Sequence, residues 1–238
     1  RPAESYLNMN ALIQAACSTG CDAIHPGFGF LSENPQFARL VEQCGLIFIG
    51  PKADVIEKLG NKSMARQMMQ EAGVPVVPGS KQIISTVEEG RQLAEQITYP
   101  LIIKAANGGG GRGMRIVRSA DELEHAFYSA KSEAKACFGD DDVYMEKYIE
   151  HPKHVEVQVL ADEFGNVVHL YERDCSFQRR NQKMIEEAPC HVLDEETRQR
   201  MFADAIRACQ YVGYTSVGTI EFLLAADGSY YFMEMNPR

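Results

Sequence analysis

Residues 108–113 read Gly-Gly-Gly-Gly-Arg-Gly, and the run is clamped between two β-type stretches. Leu101, Ile102 and Ile103 lead into Lys104, and a second apolar run, 114–117, follows the glycines at once. Glycine accepts positive φ and lets N–H groups crowd together, so such a loop can wrap an anion. Lys104 adds a point charge at its mouth. Gly108, Gly110 and Gly113 satisfy the dinucleotide spacing, but that loop must open a helix, and 114–117 has strand character. A Walker loop would close on Lys-Ser or Lys-Thr, which is missing. A protein-kinase loop also joins two strands, yet the chain has no His-Arg-Asp or Asp-Phe-Gly element. The plain alternative is a flexible linker. Two strands tight around the glycines, with lysine at the entry, favour a phosphate-covering hairpin: a nucleotide site on a movable flap.

The rest of the chain supplies a frame for that flap. Helical spacing over 6–19 ends at Gly20, a short strand over 22–25 runs into Pro26-Gly-Phe-Gly-Phe-Leu-Ser-Glu33, and a helix over 35–44 is capped by Ser32 or Asn34. A strand over 46–49 completes an α/β layer of the parallel type. Helices over 53–59 and 62–72 meet at Gly60-Asn61, and the proline-stiffened 74–79 marks a boundary. Next come a helix over 87–97, the glycine hairpin, a helix over 119–136 and a strand over 143–149, together a small α+β lid. The last third is strand-rich: 154–159 alternates polar and apolar residues, showing His154, Glu156 and Gln158 on one face. Arg179, Asn181 and Lys183 share a face if their segment is extended. A helix over 195–213 starts at Asp194, and strands over 218–225 and 229–235 are joined by Asp227-Gly228. The expected division is 1–50 as the C-terminal part of an α/β domain, 51–78 as linker helices, 79–149 as the lid, and 150–238 as the first part of a further subdomain.

A net charge of −9 argues against nucleic acid or an anionic membrane as a general partner, while leaving room for a local cationic pocket. No apolar run is long enough for a membrane span and no signal-type start is present, so a cytoplasmic protein is expected. The seven scattered cysteines lack Cys-x-x-Cys pairs and read as small buried hydrophobes in a reducing compartment. A start at Arg1 and a stop straight after Glu234-Met-Asn-Pro suggest a piece cut at both ends.

The Asp-Gly turn carries the sharpest chemical clue. A two-residue turn at 227–228 pairs Ala226 with Ser229 and, counting outward, Glu221 with Glu234. Facing carboxylates repel by about 0.2–1 kcal/mol unless a cation lies between them. Asn236 shares the Glu234 face, and a hard cation with oxygen ligands fits. Two solvent-facing glutamates are the bland alternative; with a phosphate loop in the same chain, magnesium on nucleotide phosphates is the better reading. Glu146 can accept from ribose hydroxyls, and the backbone of 147–149 can read an adenine edge. His25, His125, His151, His169 and His191 have no metal or triad spacing.

Taken together, several stretches are specific: His25-Pro-Gly-Phe-Gly-Phe-Leu-Ser-Glu-Asn34, Ile102-Ile-Lys-Ala-Ala-Asn-Gly-Gly-Gly-Gly-Arg-Gly-Met114, Tyr144-Met-Glu-Lys-Tyr148, Glu172-Arg-Asp-Cys-Ser176 and Glu234-Met-Asn236. Along nearly its whole length the chain resembles the biotin carboxylase component of the biotin-dependent carboxylases, a branch of the ATP-grasp fold. The resemblance implies an ATP-grasp α/β and α+β fold with part of a preceding Rossmann-like domain. It implies ATP-dependent carboxylation of biotin by bicarbonate through carboxyphosphate. It places Lys62, Lys104, Gly108, Gly109, Gly110, Gly111, Gly113 and Met114 on the ATP phosphates, with Gln178 and Asn181 nearby. Glu146, Lys147, Tyr148, Ile149 and His154 fall around ribose and adenine. Glu221, Glu234 and Asn236 hold two magnesium ions, for which manganese can substitute. Lys183 and Arg238 are the catalytic pair that grips bicarbonate.

The implied partners are a biotin carboxyl carrier protein or domain, a carboxyltransferase component and a second copy in a homodimer; an organelle matrix is the eukaryotic variant of the location. Asn181 stands where many members carry histidine, so it can donate a hydrogen bond but not a charge. Turnover by this stretch alone is expected to be low. A different ATP-grasp ligase of the carbamoyl-phosphate synthetase type, or ATP binding without turnover, are the competing readings.

Overall fold

The computed structural model describes residues 1–80, 82–106, 113–180 and 182–238. After a short 3-10 turn, Pro2–Glu4, come α1 (Met9–Ser18), β1 (Ala23–Ile24), α2 (Pro35–Gln43) and β2 (Ile47–Phe48). The α1 and α2 starts are set by Asn8 and Asn34, whose side-chain carbonyls accept from the N–H groups of Ala11 and Phe37. β1 and β2 pair in parallel, and Ile13, Leu31, Phe37, Val41 and Phe48 form their core together with Ala53 and Ile56.

Two helices follow, α3 (Ala53–Gly60) and α4 (Lys62–Glu71), separated by Asn61, which caps α4 by accepting from Met64 N–H. Their apolar faces belong to another core: Val55, Leu59, Ala65 and Met69 pack with the last third of the chain.

The lid consists of α5 (Val87–Ile97), β3 (Leu101–Ala105), β4 (Met114–Val117), α6 (Ala120–Phe138) and β5 (Val143–Lys147). Its antiparallel sheet has the order β4-β3-β5. Alternation sorts the faces: Leu101, Ile103, Val143 and Met145 enter a core with Leu123, Phe127 and Ala130 of α6. The opposite face shows Ile102, Lys104, Tyr144 and Glu146.

The last third has β6 (Lys153–Ala161), β7 (Val167–Arg179), β8 (Gln182–Glu187), α7 (Glu195–Val212), β9 (Ser216–Leu224) and β10 (Tyr230–Pro237). They form an antiparallel sheet ordered β10-β9-β6-β7-β8. Val155, Val157, Val159, Ile220 and Phe222 bury one face against Met201, Phe202 and Ala205 of α7. Each such side chain contributes about 1.5–3 kcal/mol. The strict alternation leaves the polar members of β6 and β9 on the other face.

Two expectations of local geometry are corrected. The segment 175–183 is not one extended run: the chain reverses after Arg180, at φ +51°, so that Gln178 pairs with Lys183 and Arg179 with Gln182. Arg179 and Lys183 therefore lie on different strands. The β9–β10 turn is also longer than Asp227-Gly228, because Ala225 N–H donates to Ser229 O and Tyr230 pairs with Leu224. Gly228 takes the positive φ of +82° that a three-residue loop needs. A bulge between Phe232 and Glu234 then shifts the register by one, so Glu234 still meets Glu221.

Candidate functional site

A cleft of about 860 Å³ lies between the lid sheet, the N-terminal part of α4 and the polar face of the five-stranded sheet. On the lid side, Lys104 of β3 and Glu146 of β5 share a face, and Lys104 Nζ donates to Glu146 Oε2 at 2.5 Å. Burial, and then the Glu146 charge, push the Tyr144 phenol upward, so it stays neutral beside them. Gly113, at φ +71°, follows the loop; a Cβ there would come within 2.8 Å of Ala105 Cβ.

On the sheet side, three carboxylates stand in one row across neighbouring strands: Glu234 on β10, Glu221 on β9 and Glu156 on β6. Lys183 reaches from β8 and donates to Glu156 Oε2 at 2.5 Å and Glu221 Oε1 at 2.6 Å. Burial alone would lower its pKa, but the two carboxylates outweigh this and hold the ammonium charged. Burial likewise pushes Glu156 up, while hydrogen bonds from Lys183 and Arg173 pull it down, and the net direction is down. Arg173 Nε donates to Glu156 at 2.6 Å, and its other arm to Gln158 Oε1 at 3.1 Å. His154, half-buried on the same face, is shifted toward its neutral form chiefly by burial.

At the other end of the row, the Glu234 carboxyl is raised by burial and by the charge of Glu221. Among the described residues Lys62 is its ion-pair partner, at 3.8 Å, and Lys183 acts on it from farther away. Asn236 Nδ2 donates to Glu221 Oε1 at 2.7 Å. Two facing, half-desolvated carboxylates with an amide at their side form an oxygen-rich donor set that fits a hard divalent cation.

Of the residues expected at the site, Lys62, Lys104, Met114, Glu146, His154, Gln178, Lys183, Glu221 and Glu234 line the cleft. Asn236 lines an adjoining cavity of about 310 Å³ with Glu33, Lys62 and Glu234. Arg238 donates to Glu33 at 2.9 Å, and its backbone N–H is held by Tyr214 Oη and Val217 O. Lys147, Tyr148 and Ile149 are not among the lining residues. Lys147 Nζ turns away to Thr98 and Tyr99, and the N–H groups of Lys147 and Tyr148 donate to Pro78 O and Pro100 O. Gly108, Gly109, Gly110, Gly111 and Asn181 lie outside the described residues.

Sequence reasoning assigned no role to Glu156, Tyr144, Glu33 or Arg66, which touch the expected residues, or to Arg173, which reaches them through Glu156. For Arg66 a signal was available, since it follows Lys62 by four positions and so shares its helix face.

The chain matches the family described as "Biotin carboxylase, N-terminal domain" over residues 1–56 and that described as "Carbamoyl-phosphate synthase L chain, ATP binding domain" over 61–238. It is 54% identical over 236 residues to a biotin carboxylase of a Nostoc species, an alignment covering 99% of this chain and 53% of that protein. It resembles the crystal structure of a biotin carboxylase–β,γ-ATP complex from Campylobacter jejuni at 52% identity and a TM-score of 0.89, covering 99% of this chain and 53% of that one. It also resembles the biotin carboxylase domain dimer of Hydrogenobacter thermophilus 2-oxoglutarate carboxylase, solved with MgADP, ADP and bicarbonate. There the identity is 49% and the TM-score 0.87, over 100% of this chain and 52% of that one. The chain thus spans about half the length of the curated relatives it matches.

Proposed function

Because the chain belongs to the biotin carboxylase family of ATP-grasp proteins, we propose that it supplies the nucleotide cleft for ATP-dependent carboxylation of biotin by bicarbonate. The observation that carries this reading is the opposition, across one cleft, of the Lys104–Glu146 wall and the carboxylate row stapled by Lys183.

In this reading Lys104 and Lys62 meet the phosphates, together with the glycines 108–111 and 113 and Met114. Glu146 and His154 bound the nucleoside end. Glu221, Glu234 and Asn236 hold Mg²⁺, which when bound neutralises charge spread over the phosphoryl oxygens. Lys183 and Arg238 orient bicarbonate, a weak nucleophile, for in-line attack on the γ-phosphate, with ADP leaving. Carboxyphosphate is hydrolytically fragile, so a lid that excludes water belongs to the chemistry. Carboxyphosphate breaks its carbon–oxygen bond to give CO2 and phosphate, the phosphate takes the proton of the biotin ring nitrogen, and Arg238 stabilises the biotin oxygen while that nitrogen bonds the CO2. The biotin arrives on a carrier protein or domain, and a carboxyltransferase component consumes the product.

The same proposal includes the division at residues 50, 78 and 149, a homodimer of the complete domain, and a cytoplasmic or organelle-matrix location. Among the described residues no helix is long and apolar enough to cross a membrane. The test is to incubate the full-length protein with ATP, magnesium and bicarbonate, with and without free biotin. ADP release that requires both bicarbonate and biotin is expected; release indifferent to biotin would point to another ATP-grasp ligase, and none at all to nucleotide binding without turnover.

A further inference from the structure

Arg66 sits one helical turn beyond Lys62 on α4, and its side chain is only 18% exposed. Its guanidinium donates to Val77 O at 2.6 Å and to Ser80 O at 2.9 Å. Its Nε is buried without a hydrogen-bond partner and stands 3.5 Å from Glu146 Oε1. One side chain therefore touches the helix pair, the connecting strap 77–80 and the carboxylate that receives Lys104.

The strap is itself sewn to β5 on both sides of Glu146. Ser80 N–H donates to Met145 O at 2.7 Å, Met145 N–H to Ser80 Oγ at 3.1 Å, and Lys147 N–H to Pro78 O at 2.7 Å. The approach is at backbone contact: a Cβ on Gly79 would lie 2.6 Å from Met145 O and 2.9 Å from Glu146 Cγ. Whatever fixes the strap fixes Glu146.

We propose that Arg66 is a positioning residue that clamps the strap 77–80 to α4 and holds Glu146 in place for the nucleotide. A planar fork serves the two carbonyls at once while its charge, which does not titrate away, stands beside Glu146. Arg66 also solves a problem of charge. Glu146 is buried, and Lys104 is its closer partner; when Lys104 turns to a phosphate, Arg66 keeps the carboxylate from standing alone.

This inference rests on the nucleotide reading above, so its test separates the two. Mg-ATP is titrated calorimetrically into the wild-type chain and into R66A, R66K, E146Q, R66A/E146Q and K104A. Amide hydrogen exchange is followed without nucleotide. R66A is expected to weaken binding about tenfold or more, the loss of a charge-assisted contact. R66K is expected to recover little, because it restores charge but not the fork. R66A/E146Q should bind no more weakly than the poorer single variant, since Arg66 acts through Glu146. Ser80, Met145 and Lys147 amides should exchange faster in R66A and R66K, with Ile220 and Phe222 unchanged, a local pattern that a general loss of stability would not give. Wild-type affinity in R66A alongside a weakened K104A would overturn the clamp, as would multiplying losses in the double variant. If wild type itself binds no Mg-ATP, the nucleotide reading fails, and uniform exchange across the lid and sheet would then overturn the clamp independently.

Discussion

Glu221 on β9 stands directly opposite Glu234 on β10, and the two reach that register only because a three-residue turn and a bulge compensate each other. The bulge lies between Phe232 and Glu234, just before the second carboxylate, where it re-aims the strand toward the cleft. Like charges opposed on neighbouring strands cost stability unless a cation joins them. The opposition of this pair is what supports the proposed metal site.

The double change Glu221→Gln, Glu234→Gln should therefore act through the metal. Its magnesium midpoint for ATP binding should rise well above wild type, whereas Lys104→Ala should weaken binding about tenfold even at saturating magnesium, because its charge meets phosphate directly. Equal magnesium midpoints in wild type and the double variant would remove the metal assignment.

Lys183→Met tests the staple. Glu156 and Glu221, both nearly buried, share this one ammonium. Removing it leaves Glu156 to Arg173 and Glu221 to the Asn236 amide, and a loss of about 3 kcal/mol in urea unfolding is expected. A loss within experimental error would mean that Arg173 and Asn236 compensate for it.

Acid sensitivity should come in part from Asp174. Burial pushes its carboxyl up, but the Ser176 hydroxyl and N–H and Lys153 outweigh that, so it titrates below its ordinary 3.8. A depressed carboxyl contributes stability above its unfolded value and loses it as the pH falls through the folded one. Asp174→Asn should flatten the stability profile between about pH 5 and pH 2, while lowering stability at neutral pH. An unchanged acid slope would contradict the assignment.

Much of this was legible in the residues. The alternation of 154–159 sorted Val155, Val157 and Val159 into the core and His154, Glu156 and Gln158 onto the opposite face, where His154 lines the cleft. The α7 start followed from Asp194, which accepts from Thr197, and the α2 start from Ser32 or Asn34, of which Asn34 is the cap that accepts from Phe37. The β9–β10 pairing was reached through the wrong turn: the spacing counted two loop residues where the chain has three, and the compensating bulge beside Met233 leaves no local signature. The reversal at Arg180 was hidden because a non-glycine residue takes the positive φ. The addition of Glu156 to the Glu221–Glu234 pair and the contacts of Arg66 with Val77, Ser80 and Glu146 join residues on separate elements, and spacing carries no information on such contacts.

The central claim is that the Glu221–Glu234 pair and Lys104 face one nucleotide. The most direct measurement is a crystal structure of this chain grown with Mn²⁺ and a non-hydrolysable ATP analogue, with anomalous scattering collected at the manganese edge. The account predicts an anomalous peak between the Glu221 and Glu234 carboxylates, with the analogue's phosphates between that peak and Lys104 Nζ. Manganese bound away from both glutamates, with the nucleotide still ordered in the cleft, would contradict it.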